Sequence, residues 1–287
     1  MKLVSYNIQY GIGLDGLYSL DRIADSVAEA DIIALQEVTR GFSRNNYADM
    51  VEGIKTLLPH AFSSFAAPCD LFIDMVDVDG QPTERRLQFG NMILSRWPIL
   101  AVRHLLLPRN RTFEKLNLQR GAVEAVIATP SGPLRVYSVH LDHVSPDERI
   151  EQVRFLKARA LNFVAEGGSL TGASEFGLAD MPLAEDFVMM GDFNMVPESP
   201  EYVEMVGRTD SYYRRALRAN HAVDASARLG ATTPESYTWV KSPGDGTEKM
   251  YLDHCFVNPQ LAPRLKSVQV DNQALGSDHF PVWLELA

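Results

Sequence analysis

Two residues near the start of the chain give the first sign of chemistry. Asn7 closes the apolar run of SYNIQYG, and Glu37 follows another run in ALQEV. An amide carbonyl and a carboxylate are hard oxygen donors, suited to Mg²⁺ or Mn²⁺ rather than to a thiolate-binding metal. Taken singly, a carboxylate at a strand end is ordinarily just solvated. Further along, His140 ends RVYSVH, and Asp192 and Asn194 stand in GDFN directly after the apolar FVMM. A strand followed by Gly, then Asp and Asn two positions apart, can aim both side chains at one point beyond a sheet. DFN alone would equally make an Asx-turn. Asp253 lies in YLDHCFV, and Asp278 with His279 in SDHFP. By itself an Asp-His pair is as readily a surface pair as a functional one.

Elements must exist to hold these side chains. Strand-like runs recur at Leu3–Ile8, Ile32–Gln36, Gln88–Leu94, Ala122–Ala128, Leu134–His140, Phe187–Met190, Tyr251–Val257 and Val282–Leu286, many ending beside a polar residue of catalytic type. The pattern predicts a sheet core with chemistry at strand ends. Between strands, Ser145 with Pro146 and Glu148 forms a capping box that opens a helix. Ile150, Val153, Leu156, Ala160, Leu161 and Val164 fall on one face of it. A second helix is predicted after Ser19, burying Leu20, Ile23, Val27 and Ala30. The Gly-rich segment Glu166–Pro182 and the stretch around Ser242–Gly246 read as loops. No repeat or low-complexity linker divides the chain, so residues 1–287 are expected to form a single domain.

Composition excludes some classes of function. With 46% hydrophobic and 22% charged residues the chain matches an ordinary globular protein. No apolar run approaches the roughly 20 residues that a membrane-spanning helix needs. The N-terminus turns polar too soon for a secretory signal, and a cytoplasmic location is expected. Cys69 and Cys255 are far apart and are read as reduced thiols rather than a disulfide framework. A formal charge of −10, from 27 basic and 37 acidic residues, disfavours tight binding to long duplex nucleic acid. The pairs Arg85–Arg86 and Arg214–Arg215 are read as solvated faces. Arg120, in LQRGAVEAV, precedes a strand and could grip phosphate, and Lys249 lies four residues before Asp253 near a substrate rim. Tyr10, Tyr237 and Trp239 are candidates to stack on a substrate, whereas Trp97 beside Pro98 reads as core.

It is the joint order of the motifs that is specific. Strand-borne Asn, LQE, strand-end His, GDFN, strand-borne LD, and SDH before a final strand together resemble the endonuclease/exonuclease/phosphatase superfamily. The resemblance runs from about Leu3 to Leu286, and FGNMILSRWPI is similar to a core segment common in that group. It implies an α/β four-layer sandwich: two packed mixed β-sheets flanked by helices, with the site at one rim. It also implies a phosphoester hydrolase that uses Mg²⁺, with Mn²⁺ as a substitute. Glu37 would ligate the metal, helped by Asn7 and by Asp278. His140 and Asn194 would hold phosphate oxygens, Asp192 would position or deprotonate the attacking water, and Asp253 would orient a protonated His279. Asn7, Arg120 and Lys249 are expected on the substrate side.

The chain departs from parts of the family. Gln9 stands where apurinic endonucleases carry Asp, and His140 where they carry Tyr. MVPESPEY after GDFN lacks the basic motif of inositol phosphatases. The expected substrate is a compact or lipid-type phosphoester, with a nuclease on DNA or RNA as the alternative. A catalytically silent binding protein is the third reading, weakened because Glu37, Asp192, Asn194, Asp253 and His279 are all present. Asp142 and His143 are equally readable as site or loop residues.

Overall fold

A computed structural model describes residues 1–241 and 248–287; the loop expected around Ser242–Gly246 lies outside them. Strands follow as β1 Lys2–Asn7, β2 Ile32–Arg40, β3 Phe62–Val78, β4 Gln81–Ser95, β5 Ile99–Leu106, β6 Gly121–Thr129 and β7 Gly132–His140. After them come β8 Phe187–Asp192, β9 Val223–Asp224, β10 Trp239–Val240, β11 Lys249–Met250, β12 Asp253–Val257, β13 Leu265–Val270 and β14 Val282–Leu286. The helices are α1 Leu20–Val27, α2 Met50–Leu57, α3 Pro146–Leu161, α4 Phe163–Glu166, α5 Pro200–Val206 and α6 Ala225–Leu229.

Two six-stranded mixed sheets, ordered β13-β14-β1-β2-β4-β3 and β5-β6-β7-β8-β12-β9, pack face to face, and β10 and β11 form a separate ribbon. Alternation along each strand decides which layer a side chain enters. Leu3, Ile32, Ala34, Ile93, Val136, Val188, Met190 and Cys255 fill the space between the sheets. The opposite faces pack outward. Val4, Tyr6, Ile33 and Leu35 meet Ile23, Val27, Met50 and Ile54 of α1 and α2. Tyr137, Val139, Met189 and Phe256 meet Val153, Leu156, Tyr202 and Met205 of α3 and α5. The result is the expected four-layer α/β sandwich.

The same alternation aims the motif residues. Asn7 shares the parity of Leu3, His140 that of Val136, Asp192 that of Val188 and Met190, and Asp253 that of Cys255. Each is thus the last inward-facing position at one end of its strand. Register sets three of them side by side, with His140 opposite Asp192 and Asp192 opposite Asp253. Gly191 makes that row buildable: an added Cβ would stand 1.9 Å from the backbone oxygen of Val139. Gly191→Ala should therefore cost about 3 kcal/mol and lower the melting midpoint by roughly 10 °C. A thermal melt checks this, and a midpoint within a degree of the parent would remove the steric argument.

Several expectations need correction. The helix after Ser145 ends at Leu161, so Leu161 and Val164 are 36% and 44% exposed and Phe163 enters the core instead. The strand expected from Tyr251 begins at Asp253, because Thr238 Oγ1 accepts the N–H groups of both Leu252 and Asp253. Strands β3, β5, β9, β10, β11 and β13 fall outside the predicted runs. The loop expected at 166–182 holds one short helical turn at Ala173–Phe176. Cys69 and Cys255 are both free.

Candidate active site

Asp192, at the inward end of β8, is the hub. Its Oδ2 accepts from Asn7 Nδ2 at 2.9 Å and lies 3.4 Å from His140 Nε2 and 3.7 Å from His279 Nε2. Its Oδ1 accepts the Asn194 N–H at 2.9 Å, so GDFN is an Asx-turn and also a projection device. Asn194 takes a left-handed conformation, φ 49°, and its amide donates to Leu141 O at 3.1 Å. His279 follows the β10 pairing through its bridge to Trp239 and meets Asp253 by Nδ1–Oδ2 at 2.8 Å.

Glu37 reaches the cluster by a different route. Strand parity alone would turn it toward α2, because Ile32, Ala34 and Gln36 are the inward residues of β2. A bulge between Leu35 and Val38, with Glu37 at φ 60°, re-aims it to the rim. A non-glycine residue held there stores backbone strain, a feature concentrated at working sites. Asn7 Nδ2 donates to Glu37 Oε1 at 3.3 Å. Asp278 is fixed by Trp239 Nε1 at 3.1 Å and by the Ser277 hydroxyl at 3.4 Å. Trp239, expected to stack on substrate, is here a support for a carboxylate.

The electrostatics are uneven. Burial raises the Glu37 carboxyl to about 7, with Asp278 and Asp192 pushing the same way against His279 and Arg120. Burial likewise raises Asp278. The His279 imidazole is driven up to about 10 because Asp253 and Asp192 outweigh its own desolvation. His140 is held well below its ordinary value by burial and by Arg120, and is neutral at pH 7. Arg120 is only 5% exposed; its Nη1 lies 3.0 and 2.8 Å from the His140 ring nitrogens and its Nη2 2.8 Å from His143 Nδ1, while its Nε has no partner. A buried guanidinium facing neutral rings is short of an anion.

The donor set suits a hard divalent cation. Among the described residues Glu37 and Asp278 have no Lys or Arg within ion-pair distance, and only His279 and, for Glu37, Arg120 offset their charges without a direct ion pair. Ligand atoms of Asp192, Asp253 and His279 also lie within 4.8 Å of one another. His279 and Asp253 already satisfy each other there, so a cation would have to break that pair. Glu37 and Asp278 are therefore the better candidates. Asn7 accepts the Gln9 N–H at 3.1 Å on its carbonyl oxygen and turns its amide N–H groups to Glu37 and Asp192.

Of the positions singled out in the sequence, Asn7, Glu37, Arg120, His140, Asp192, Asn194, Asp253, Asp278 and His279 come together. Lys249 does not join them; it is exposed in the ribbon with its ammonium 4.0 Å from the Tyr237 ring centroid. Asp142 caps the turn ahead of α3 by accepting from the Val144 and Ser145 N–H groups, whereas His143 meets Arg120. Sequence reasoning missed Thr238, Gln36 and Ser138. Gln36 Nε2 donates to Ser138 Oγ at 3.0 Å, tying the two sheets together behind the site. The inward parity of Gln36 was the available signal.

A search of the curated proteins finds no match. Among solved structures the fold is similar to an endonuclease/exonuclease/phosphatase from Bacteroides vulgatus, at 20% identity and TM-score 0.65, covering 100% of this chain and 98% of that one. It is similar to a mannosyl-6-phosphatase of Bacteroides thetaiotaomicron at 18% identity and TM-score 0.63, covering 100% and 99%. It is also similar to a 3′ phosphatase from Neisseria bound to a product DNA hairpin, at 21% identity and TM-score 0.58, covering 100% and 99%. The sequence profile of the Endonuclease/Exonuclease/phosphatase family matches residues 4–279. Nearly the whole chain is matched, and the chain belongs to the endonuclease/exonuclease/phosphatase family, as a phosphoester hydrolase.

Proposed function

We propose that residues 1–287 act as one catalytic domain that hydrolyses a compact phosphoester by in-line attack of water. The observation that carries this reading is the Asp192 hub, whose one carboxylate oxygen faces Asn7, His140 and His279 at the meeting of both sheets. In this reading Glu37 and Asp278 hold Mg²⁺, or Mn²⁺ in its place. Such an ion, when bound, neutralises charge on the phosphoryl oxygens.

The chain's own groups supply the rest. Asp192 accepts the proton of the attacking water as the new O–P bond forms. Asn7 holds Asp192 and Glu37 in place. Arg120, neutral His140 and Asn194 meet the non-bridging oxygens, and His279, kept charged by Asp253, faces the negative charge that develops as the ester bond breaks. The leaving oxygen departs into solvent and is protonated there.

A compact substrate is favoured because the site's cations, Arg120 and His279, are buried inside it while the chain as a whole carries −10. The structural neighbours include both a mannosyl-6-phosphatase and a 3′ phosphatase bound to a DNA hairpin, and do not choose between the readings. One feature favours a nuclease instead: exposed Arg109, Arg111 and Lys115 lie on the segment that leads into Arg120. Binding of a labelled duplex in Ca²⁺ separates the two readings. Submicromolar affinity at physiological salt with a steep salt slope would move the assignment to nucleic acid.

The Asp253–His279 pair gives a direct test of the roles. If the two act as a unit, the single alanine variants and the double variant lose similar amounts of activity. The cycle is read in kcat/KM on an aryl phosphoester. Losses that add strictly in logarithm would show that the pair does not function together.

A further inference from the structure

A second concave surface lies away from the Asp192 hub. Residues 208–228 hold five arginines and two aspartates, in a chain where 37 acidic residues outnumber 27 basic ones. A cavity of about 750 Å³ beside α5 is lined by Arg208, Arg214 and Arg218 with Tyr213 and His221. An adjoining one of about 220 Å³ shares Arg214, Arg218 and His221 and adds Arg228. The combined size is that of a small-molecule site. The strand bordering it, β9, pairs at Val223 with Val257, four residues along β12 from Asp253.

The charges here are left over rather than balanced. Arg85, Arg86, Arg103 and Arg149 are all ion-paired elsewhere in the molecule, and Arg215 is tied to Glu198 at 2.8 Å. Among the described residues Arg208, Arg214, Arg218 and Arg228 make no ion pair. Two acids, Glu204 and Asp210, line the same cavity, and both already have partners. Asp210 Oδ1 accepts the N–H groups of Tyr212 and Tyr213, both at 2.8 Å; Glu204 meets Lys157 at 2.8 Å; buried Asp224 caps α6 and accepts from Tyr202. The Asp210 turn also presents two aromatic rings, edge to face at 4.9 Å, which are 81% and 78% exposed. Rings fixed in solvent beside unpaired guanidiniums offer stacking and phosphate recognition together.

We propose that this groove binds a nucleotide, with its phosphates on Arg208, Arg214 and Arg218 and its base stacked on Tyr213. The ligand is either a free nucleotide or the phosphorylated end of a single strand, which share this chemistry. The groove is separate from the hydrolytic site, and the proposal does not depend on that site's substrate.

Isothermal titration without divalent metal suppresses turnover and tests it. The probes are adenosine triphosphate, inorganic triphosphate, and a single-stranded oligonucleotide with a 5′ phosphate. The nucleotide should bind at least about tenfold tighter than inorganic triphosphate, a difference that reports the base. The double variant Arg214→Gln/Arg218→Gln should lose about tenfold or more, and Tyr213→Ala several-fold, with hydrolysis of a small aryl phosphoester unchanged. The charge-matched control Lys2→Gln/Lys266→Gln should bind as the parent does. Either the nucleotide or the oligonucleotide binding with this variant pattern supports the groove, and the tighter of the two identifies the source. No binding of either, equal affinity for inorganic triphosphate, or indifference to the double variant overturns it.

Discussion

Glu37→Gln should lower turnover by about three orders of magnitude, roughly 4 kcal/mol of barrier, because the amide removes a formal charge from the position proposed to hold the cation. Mg²⁺ affinity should fall with it, read by calorimetry. The same substitution should raise the melting midpoint of the metal-free protein at pH 8. The sign follows from the carboxyl's rise to about 7. A folded-state value above the unfolded one means that the ionised form opposes folding; the penalty is absent below about 4.5 and complete above about 7. Gln at this position never ionises and escapes the penalty. Metal should reverse the order, stabilising the parent and leaving the variant unmoved. Unchanged metal affinity in Glu37→Gln would take the cation away from this residue.

The second large effect is expected at Asp192. Asp192→Asn keeps the side chain's size and its acceptor for the Asn194 N–H but sets an amide NH2 against the Asn7 amide and His279, so the fold and the metal affinity should survive at some cost in stability. The amide cannot take a proton from water, and a general base contributes about 10² to 10⁴ in rate. The loss should appear in kcat rather than KM. A variant with most of its activity at neutral pH would leave Asp192 a purely structural hub.

What the sequence disclosed, and what it hid, follows one division. Strand parity is local. In LVSYN, RVYSVH and FVMMGD every second position from Leu3, Val136 and Val188 faces inward, and the same count lands Asn7, His140 and Asp192 on the inner face. The capping box at Ser145 is local as well, and α3 begins there. Glu37 escaped that logic, because its direction depends on a bulge against β4 that exists only when the two strands pair. Arg120 was visible as a candidate phosphate ligand, but its partners His140 and His143 lie on another strand and the turn after it. Strand β3 was hidden for a different reason. It is an edge strand whose outer half, around Leu71 to Met75, is exposed on both faces, so no alternation marks it. The arginine groove also needed the fold: Arg214 and Arg215 read alike in sequence, yet Arg215 is paired with Glu198 and Arg214 is left without an ion pair among the described residues.

The most direct test of metal-dependent hydrolysis at this site is turnover of an aryl phosphoester by chelator-stripped protein during titration with Mg²⁺, with the protons released on binding read by calorimetry in two buffers of different ionisation enthalpy. Stripped protein should be inactive and activity should return saturably. Binding near pH 7 should release protons from Glu37, whose carboxyl is raised by burial to about 7, and fewer as the pH is raised. Full activity after stripping, or Mg²⁺ binding with no proton release at pH 7, would contradict the account.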